Sequence, residues 1–260
     1  MSTIDDTGRA LLARHQHRKI ELEGICNCRD FGGLPTLGGG RTRPGRVFRS
    51  DALATLTDAD RATLASLGVR SVFDLRTEEE RQRAPNRLPG PLPVQHALGF
   101  IPRGNPEMFA AVNAGKLTAA AARAQMCAQY ERLALDHTDV LGTMYRLMLA
   151  AGGAPALLHC ASGKDRTGIG SAFLLLMIGV GRDEVFEDYL ISHYQRRHID
   201  LFTRDAPNAA VNEIMSAHEE YLAAGLAAID REFGRFGAFA ERRLGLTPAL
   251  REALIALLVE

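Results

Sequence analysis

The pattern of apolar and polar positions divides the chain into short strands set among longer helices. The apolar run Ala154 to Leu158 leads into a polar loop, and the almost wholly apolar segment Ile169 to Val180 leads away from it. This reads as a buried strand, a short loop and a buried helix. Arg46 to Arg49 and Val94 to Ala97 are expected as short strands, and Val69 to Leu75 as a buried one. Thr57, with Asp60 three residues on, caps a helix running to about Leu67, where Gly68 ends it. Thr77 and Glu80 repeat that arrangement and open a helix over Glu78 to Arg83. Pro85, Pro89, Pro91 and Pro93 then punctuate a loop.

From Pro106 to Ala150 the period is helical, in two parts, Leu117 to Leu135 and Asp136 to Ala150. Val140, Leu141, Met144, Leu147 and Met148 fall on one face, as core packing requires. Helices are also expected over Gly181 to Tyr194, Ala209 to about Ala228 and Ile229 to Leu244. Thr247-Pro248 starts the last in the order cap, then proline. Ile20 to Asp30 leads into the turns of Gly32-Gly33 and Gly38-Gly39-Gly40. Met1 to about Arg18 is polar and weakly patterned, and is expected as a flexible arm or a short helix. No internal repeat or low-complexity linker interrupts this series. Strands interleaved with helices predict a single α/β domain over residues 1–260.

Composition narrows the function classes. Apolar content is 46%, charged content 24% and formal net charge zero, so bulk charge does not point to nucleic acid or an anionic membrane as partner. No apolar run reaches the ~18 residues of a membrane span, and the N-terminus has no secretory apolar region. A cytoplasmic location, or export without a classical signal peptide, is expected. Cys26, Cys28, Cys127 and Cys160 do not form a disulfide framework and are read as free thiols.

The candidate chemistry sits in the loop, His159-Cys160-Ala161-Ser162-Gly163-Lys164-Asp165-Arg166-Thr167-Gly168. Five residues separate Cys160 from Arg166, enough for the backbone to curl once with its N–H groups inward. Such a nest binds a tetrahedral oxyanion, and the following helix adds its positive end. A thiol in that field is expected to be an activated nucleophile. Arg166 can hold two phosphate oxygens in its planar fork. The peptide groups of Ala161, Ser162, Gly163 and Lys164 would complete the cradle, with Gly163 allowing angles that other residues avoid. Thr167 can donate to the sulfur or cap the helix.

The loop resembles the Cys-x5-Arg signature of the cysteine-based protein tyrosine phosphatases. Its Gly-Lys-Asp-Arg-Thr-Gly form is similar to one branch, the bacterial tyrosine/serine phosphatases. Asn27-Cys28-Arg29-Asp30, Phe48-Arg49-Ser50 and Asp74-Leu75-Arg76 are similar to that branch too, and the likeness runs from about residue 20 to the C-terminus. The resemblance implies a central, mostly parallel sheet flanked by helices. It implies hydrolysis of phosphotyrosine, phosphoserine and phosphoinositides, with no cofactor. It also implies that His159 is structural and that Arg196 to Leu226 forms a helical lid; ordinary C-terminal packing is the alternative for that segment.

The proton donor to the leaving group is open between two carboxyls. The chain has no Trp, so a mobile Trp-Pro-Asp loop is absent. Asp165 lies inside the cradle, and the resemblance favours it. Asp74 ends a strand, with an ion pair to Arg76 or Arg49 as its structural reading. Asn27, Arg29, Asp30 and Arg49 are expected to buttress the loop. Glu78-Glu79-Glu80 reads as a solvated first turn. Lys164 adds a second cation suited to highly phosphorylated ligands, whereas a nucleophile at the foot of a deep cradle favours a phosphoaryl group. No His/Cys/Asp cluster has metal-ligand spacing; His193 and His198 read as a solvated helix face. A rhodanese-like sulfurtransferase and a silent phosphate-binding module are the readings from other classes, and the Arg-Thr-Gly ending and the preceding His argue against the first.

Overall fold

The computed structural model describes residues 5–152, 155–196 and 202–260. Its strands are β1 (Arg29–Asp30), β2 (Val47–Ser50), β3 (Ser71–Asp74), β4 (Val94–Ala97) and β5 (Ala156–His159). They form one sheet in the order β1-β2-β5-β3-β4. Only the β1–β2 pairing is antiparallel. The helices are α1 (Asp6–His15), α2 (Asp58–Ser66), α3 (Glu78–Arg83), α4 (Asn105–Asn113), α5 (Ala119–Asp136) and α6 (Thr138–Ala150). They continue as α7 (Asp165–Met177), α8 (Arg182–Tyr194), α9 (Asn208–Met215), α10 (Glu219–Phe233), α11 (Phe236–Arg242) and α12 (Pro248–Leu258). The fold is therefore α/β with a mostly parallel sheet flanked by helices, as the sequence predicts.

Alternate side chains of the central strands enter two cores. Val47, Phe73, Ala156 and Leu158 join the larger one, with apolar residues of α5, α6, α7 and α10. Phe48, Val72 and Leu157 join the smaller one, with Leu64 of α2 and Ile25, Leu53 and Leu56 of the loops. A strand buried on both faces needs apolar residues at every position, which is why Ala156 to Leu158 shows no alternation. Helix α7 shows no polar face for the same reason: Thr167 through Leu175 are all buried. Both expected capping boxes form, Thr57 with Asp60 and Thr77 with Glu80.

The stretch expected as a flexible arm or a short helix holds helix α1 followed by a 3-10 turn at Gln16–Arg18; residues 1–4 lie outside the described residues. The turn is anchored because Arg18 is buried in an ion pair with Asp188 of α8. The helices expected over Ala209 to Ala228 and Ile229 to Leu244 divide elsewhere. Helix α9 stops at Met215, where Ser216 turns extended, and α10 runs on to Phe233, where Gly234 at φ 72° ends it. Among the described residues no helix is long and apolar enough to cross a membrane.

The register brings Ser50, His159 and Asp74 abreast at the carboxyl ends of β2, β5 and β3. The loop from His159 therefore leaves the middle of the sheet at the edge where parallel α/β sheets present functional groups.

Candidate active site

The loop between β5 and α7 is held from outside by its carbonyl oxygens. Ala52 N–H donates to Ala161 O (3.1 Å), Asn27 Nδ2 to Ser162 O (3.2 Å) and Arg49 Nη2 to Gly163 O (2.7 Å). In a trans peptide the N–H points opposite to the C=O. Drawing these three carbonyls outward turns the N–H groups of Ser162, Gly163 and Lys164 to the other side, as an anion nest requires. Gly163 sits at φ 68°, and a Cβ there would lie 2.5 Å from Ser50 O. Backbone angle and space both demand glycine.

The loop floors a cavity of about 230 Å³. Cys160, Ala161, Ser162, Lys164, Asp165 and Arg166 line it below. Ile101 and Pro102, Phe109 of α4, and Ile214 and Met215 of α9 give it apolar walls, while Thr77, Glu79 and Arg83 stand on the α3 side. The described part of the segment expected as a lid thus supplies a wall, through the end of α9; residues 197–201 lie outside the described residues.

Arg166 is braced by a residue that the sequence reading left in solvent. Its Nη1 and Nη2 each donate to a carboxylate oxygen of Glu80 at 2.6 Å, and Nη1 also meets Leu75 O and Phe100 O. Glu80 is not a solvated first-turn acid. It is half-buried; burial raises its carboxyl, but Arg166 outweighs this and holds it below the usual range.

Lys164 is also placed differently from expectation. Its side chain is 4% exposed, and Nζ bonds Ile214 O, Ser216 O (3.1 Å) and Asp165 Oδ1 (3.1 Å). A lysine engaged in this way is not a free second cation for an extra phosphate.

The two carboxyl candidates separate clearly. Asp165 lines the cavity with its side chain 24% exposed, and Oδ1 accepts a hydrogen bond from Tyr130 Oη (2.8 Å). Asp74 does not line it. Its carboxylate is clasped by Arg76 Nε and Nη2, by Asn86 Nδ2 and by His159, 3.4 Å away. Burial acts to raise Asp74, but His159 and Arg76 prevail and hold it well below the usual carboxylate range. Asp74 thus stands away from the cavity in a buried ion pair with Arg76, the structural arrangement expected as its alternative to a catalytic role. His159 Nδ1 lies 3.2 Å from Cys160 O, which makes that pair a brace for the ring that precedes the nucleophile candidate.

Beneath the loop lies a second group. Asp188 of α8 pairs with Arg18, with Arg29 (3.1 Å) and with Arg49 (2.5 Å), all four side chains being 1% exposed. Arg29 in turn holds Asn27 Oδ1 (2.5 Å). Burial, then Arg49, pulls Arg29 down to about 9, while Asp188 opposes the fall. Asn27 and Arg49 thus bond the loop's carbonyls directly, and Arg29 holds Asn27. The Asp30 carboxylate takes the N–H groups of Gly32 and Gly45 and fixes a turn. Thr167 is not the helix cap, a position held by Lys164; its buried Oγ1 has no hydrogen-bond partner among the described residues.

Sequence reasoning missed Glu80, Asn86, Asp188 and the tyrosines behind Asp165. Asp188 left a signal: it lies on the buried stripe of α8 with Val185, Tyr189, Ile191 and Ser192, where a charge needs partners. Among the described residues no three His, Cys, Asp or Glu are arranged to hold a metal, and His198 lies outside them.

Residues 20–260 match the tyrosine phosphatase family. The triple specificity protein phosphatase PtpB of Mycobacterium tuberculosis is 31% identical, the match spanning 84% of this chain and 91% of that protein. A tyrosine-protein phosphatase of Nostoc commune is 30% identical over 56% of this chain and 48% of its own length. The crystal structure of TpbA from P. aeruginosa aligns with a TM-score of 0.34 at 18% identity, over 73% of this chain and 89% of that one. With a match that takes in every strand of the sheet and the whole cysteine–arginine loop, the chain belongs to the tyrosine phosphatase family of enzymes.

Proposed function

We propose that the protein hydrolyses phosphate monoesters, with phosphotyrosine on proteins as its main substrate, through a phosphocysteine intermediate. Cys160 Sγ attacks phosphorus in line, an S–P bond forms, and the bond from phosphorus to the tyrosine oxygen breaks. Asp165 gives its proton to the departing oxygen. The loop N–H groups and the free edge of Arg166 take the equatorial oxygens as charge spreads over them. Water then attacks the phosphocysteine, Asp165 accepts its proton, the S–P bond breaks, and phosphate leaves with the attacking Cys160 thiolate restored.

One observation carries this reading: Cys160, Asp165 and Arg166 share one cavity at the carboxyl end of β5. The apolar walls supplied by Ile101, Pro102, Phe109, Ile214 and Met215 fit an aromatic ring. A short phosphoserine side chain would leave those walls wet, and Lys164 is not free to read a further phosphate. Both points rank phosphotyrosine above phosphoserine and phosphoinositides. The mycobacterial relative is named a triple specificity protein phosphatase, which supports a range broader than phosphotyrosine; phosphoserine, phosphothreonine and phosphoinositides, the substrates expected from the resemblance of the loop, are proposed as secondary.

The test is hydrolysis of p-nitrophenyl phosphate, followed by a panel of phosphotyrosine peptides, phosphoserine peptides and phosphoinositide vesicles. Cys160→Ser should abolish turnover and vanadate should block it. Sulfur transfer from thiosulfate to cyanide by a sample that leaves aryl phosphates intact would overturn the reading.

A further inference from the structure

Behind Asp165 stand two phenols that no step above uses. Tyr130 of α5 and Tyr189 of α8 are at most 1% exposed, and neither lines the cavity. Their rings meet edge-on, with centroids 5.8 Å apart. Tyr189 Oη lies 2.7 Å from Tyr130 Oη, which lies 2.8 Å from Asp165 Oδ1. Burial, with the Asp165 charge behind it, pushes both phenols far above their ordinary range, so both keep their protons.

Each phenol has one proton to donate. If Tyr189 donates to Tyr130 and Tyr130 to Asp165, both protons are used. In the opposite order Tyr189 would have to donate elsewhere, and among the described residues its hydroxyl has no other partner. A buried donor without an acceptor costs about 1–3 kcal/mol, which fixes the direction of the chain. Asp165 Oδ1 is therefore an acceptor, and the Lys164 ammonium stands 3.1 Å from the same oxygen as an ion-pair partner. Oδ2 has no hydrogen bond among the described residues, and the side chain opens on the cavity.

We infer that Tyr130, backed by Tyr189, is a positioning residue that confines the transferable proton of Asp165 to Oδ2, the oxygen left open to the substrate. The inference rests on Asp165 being the acid. A carboxylic acid has two oxygens, and a proton on the wrong one must be moved before it can reach the leaving group. With Tyr130 donating to Oδ1 and the Lys164 charge beside it, a proton is disfavoured on that oxygen. The Tyr130 bond also sets the rotation of the carboxyl, which a point charge at Lys164 does not fix.

The experiment compares kcat/KM for phenyl phosphate with kcat/KM for dinitrophenyl phosphate, whose leaving group needs no proton. The ratio is taken within one sample, so it does not depend on the folded fraction. Asp165→Asn should depress phenyl phosphate by ~100-fold or more relative to dinitrophenyl phosphate, the ordinary size of general-acid assistance. Tyr130→Phe should depress the same ratio by ~10-fold, part of that assistance, and Tyr189→Phe should act in the same direction and less strongly. A structural role alone would lower both substrates in parallel. If Asp165→Asn changes the ratio while both phenylalanine variants leave it untouched, the positioning role is overturned and the acid assignment stands. If Asp165→Asn lowers both substrates equally, the acid assignment falls and takes this inference with it. Should Tyr130→Phe not fold, Tyr189→Phe decides.

Discussion

Arg166 has five N–H protons, and Glu80 decides which of them a substrate can reach. Nη1 serves Leu75 O, Phe100 O and Glu80 Oε2, and Nη2 gives one proton to Glu80 Oε1. Nε–H and the second Nη2 proton make up the remaining edge, and a phosphate can take that edge bidentately while Glu80 holds the other. Glu80 also accepts Thr77 N–H at 2.7 Å, so one carboxylate starts α3 and aims the anion clamp. Glu80→Gln keeps an acceptor for the cap and loses the charge. Its kcat/KM for p-nitrophenyl phosphate should fall ~10- to ~100-fold, in line with a charge-assisted hydrogen bond of ~1.5–3 kcal/mol. An unchanged kcat/KM would show that the clamp needs no brace. Cys160 and Arg166 were legible in the sequence because their relation is local, a count of five intervening residues. The bond to Glu80 spans 86 positions, and nothing in an acidic first turn distinguishes a solvated glutamate from a committed one.

Elements were legible where local chemistry decides them. Cap residues placed α2, α3 and α12 correctly, and the apolar run placed β5. The stop of α9 was not legible, because a distant side chain helps to set it. The last carbonyls of a helix lack partners within it, and Lys164 Nζ takes Ile214 O and Ser216 O. Those bonds tie the cavity floor to the wall that α9 builds. Lys164→Met keeps most of the volume and removes the donor. Loss of these buried bonds should cost ~1–3 kcal/mol and let α9 open more often. Hydrogen exchange over residues 208–218 should quicken while β5 stays protected. Equal protection in both proteins would remove Lys164 as the tie.

On the scale of the molecule, Asp188 joins parts that lie far apart in the chain: the turn after α1 through Arg18, β1 through Arg29, β2 through Arg49, and its own helix α8. Burial alone would raise its carboxyl; Arg29, Arg49 and Arg18 outweigh this and hold it well below the usual range. A carboxyl with a depressed folded value stabilises the fold above its unfolded value of ~3.9, and that contribution is lost as pH falls through the folded value. Asp188→Asn should lower stability by ~3–5 kcal/mol at neutral pH, since three guanidinium groups lose their shared counter-charge. The gap between variant and native protein, read from urea midpoints, should narrow below pH ~4. A constant gap would mean that the group does not titrate with the fold. The sheet order was expected as mostly parallel by resemblance. The hub was not foreseen, because its arginines stand in segments that read separately as arm, turn and strand.

The cradle itself has its carbonyls tied back by Ala52, Asn27 and Arg49, all groups of the protein. A loop shaped by the protein's own bonds does not distinguish an ester from free inorganic phosphate at the anion end. In the proposed reaction the freed phosphate should therefore compete with the next substrate, and added inorganic phosphate should slow turnover. Selectivity for the ester should then rest on the apolar walls of Ile101, Pro102, Phe109, Ile214 and Met215.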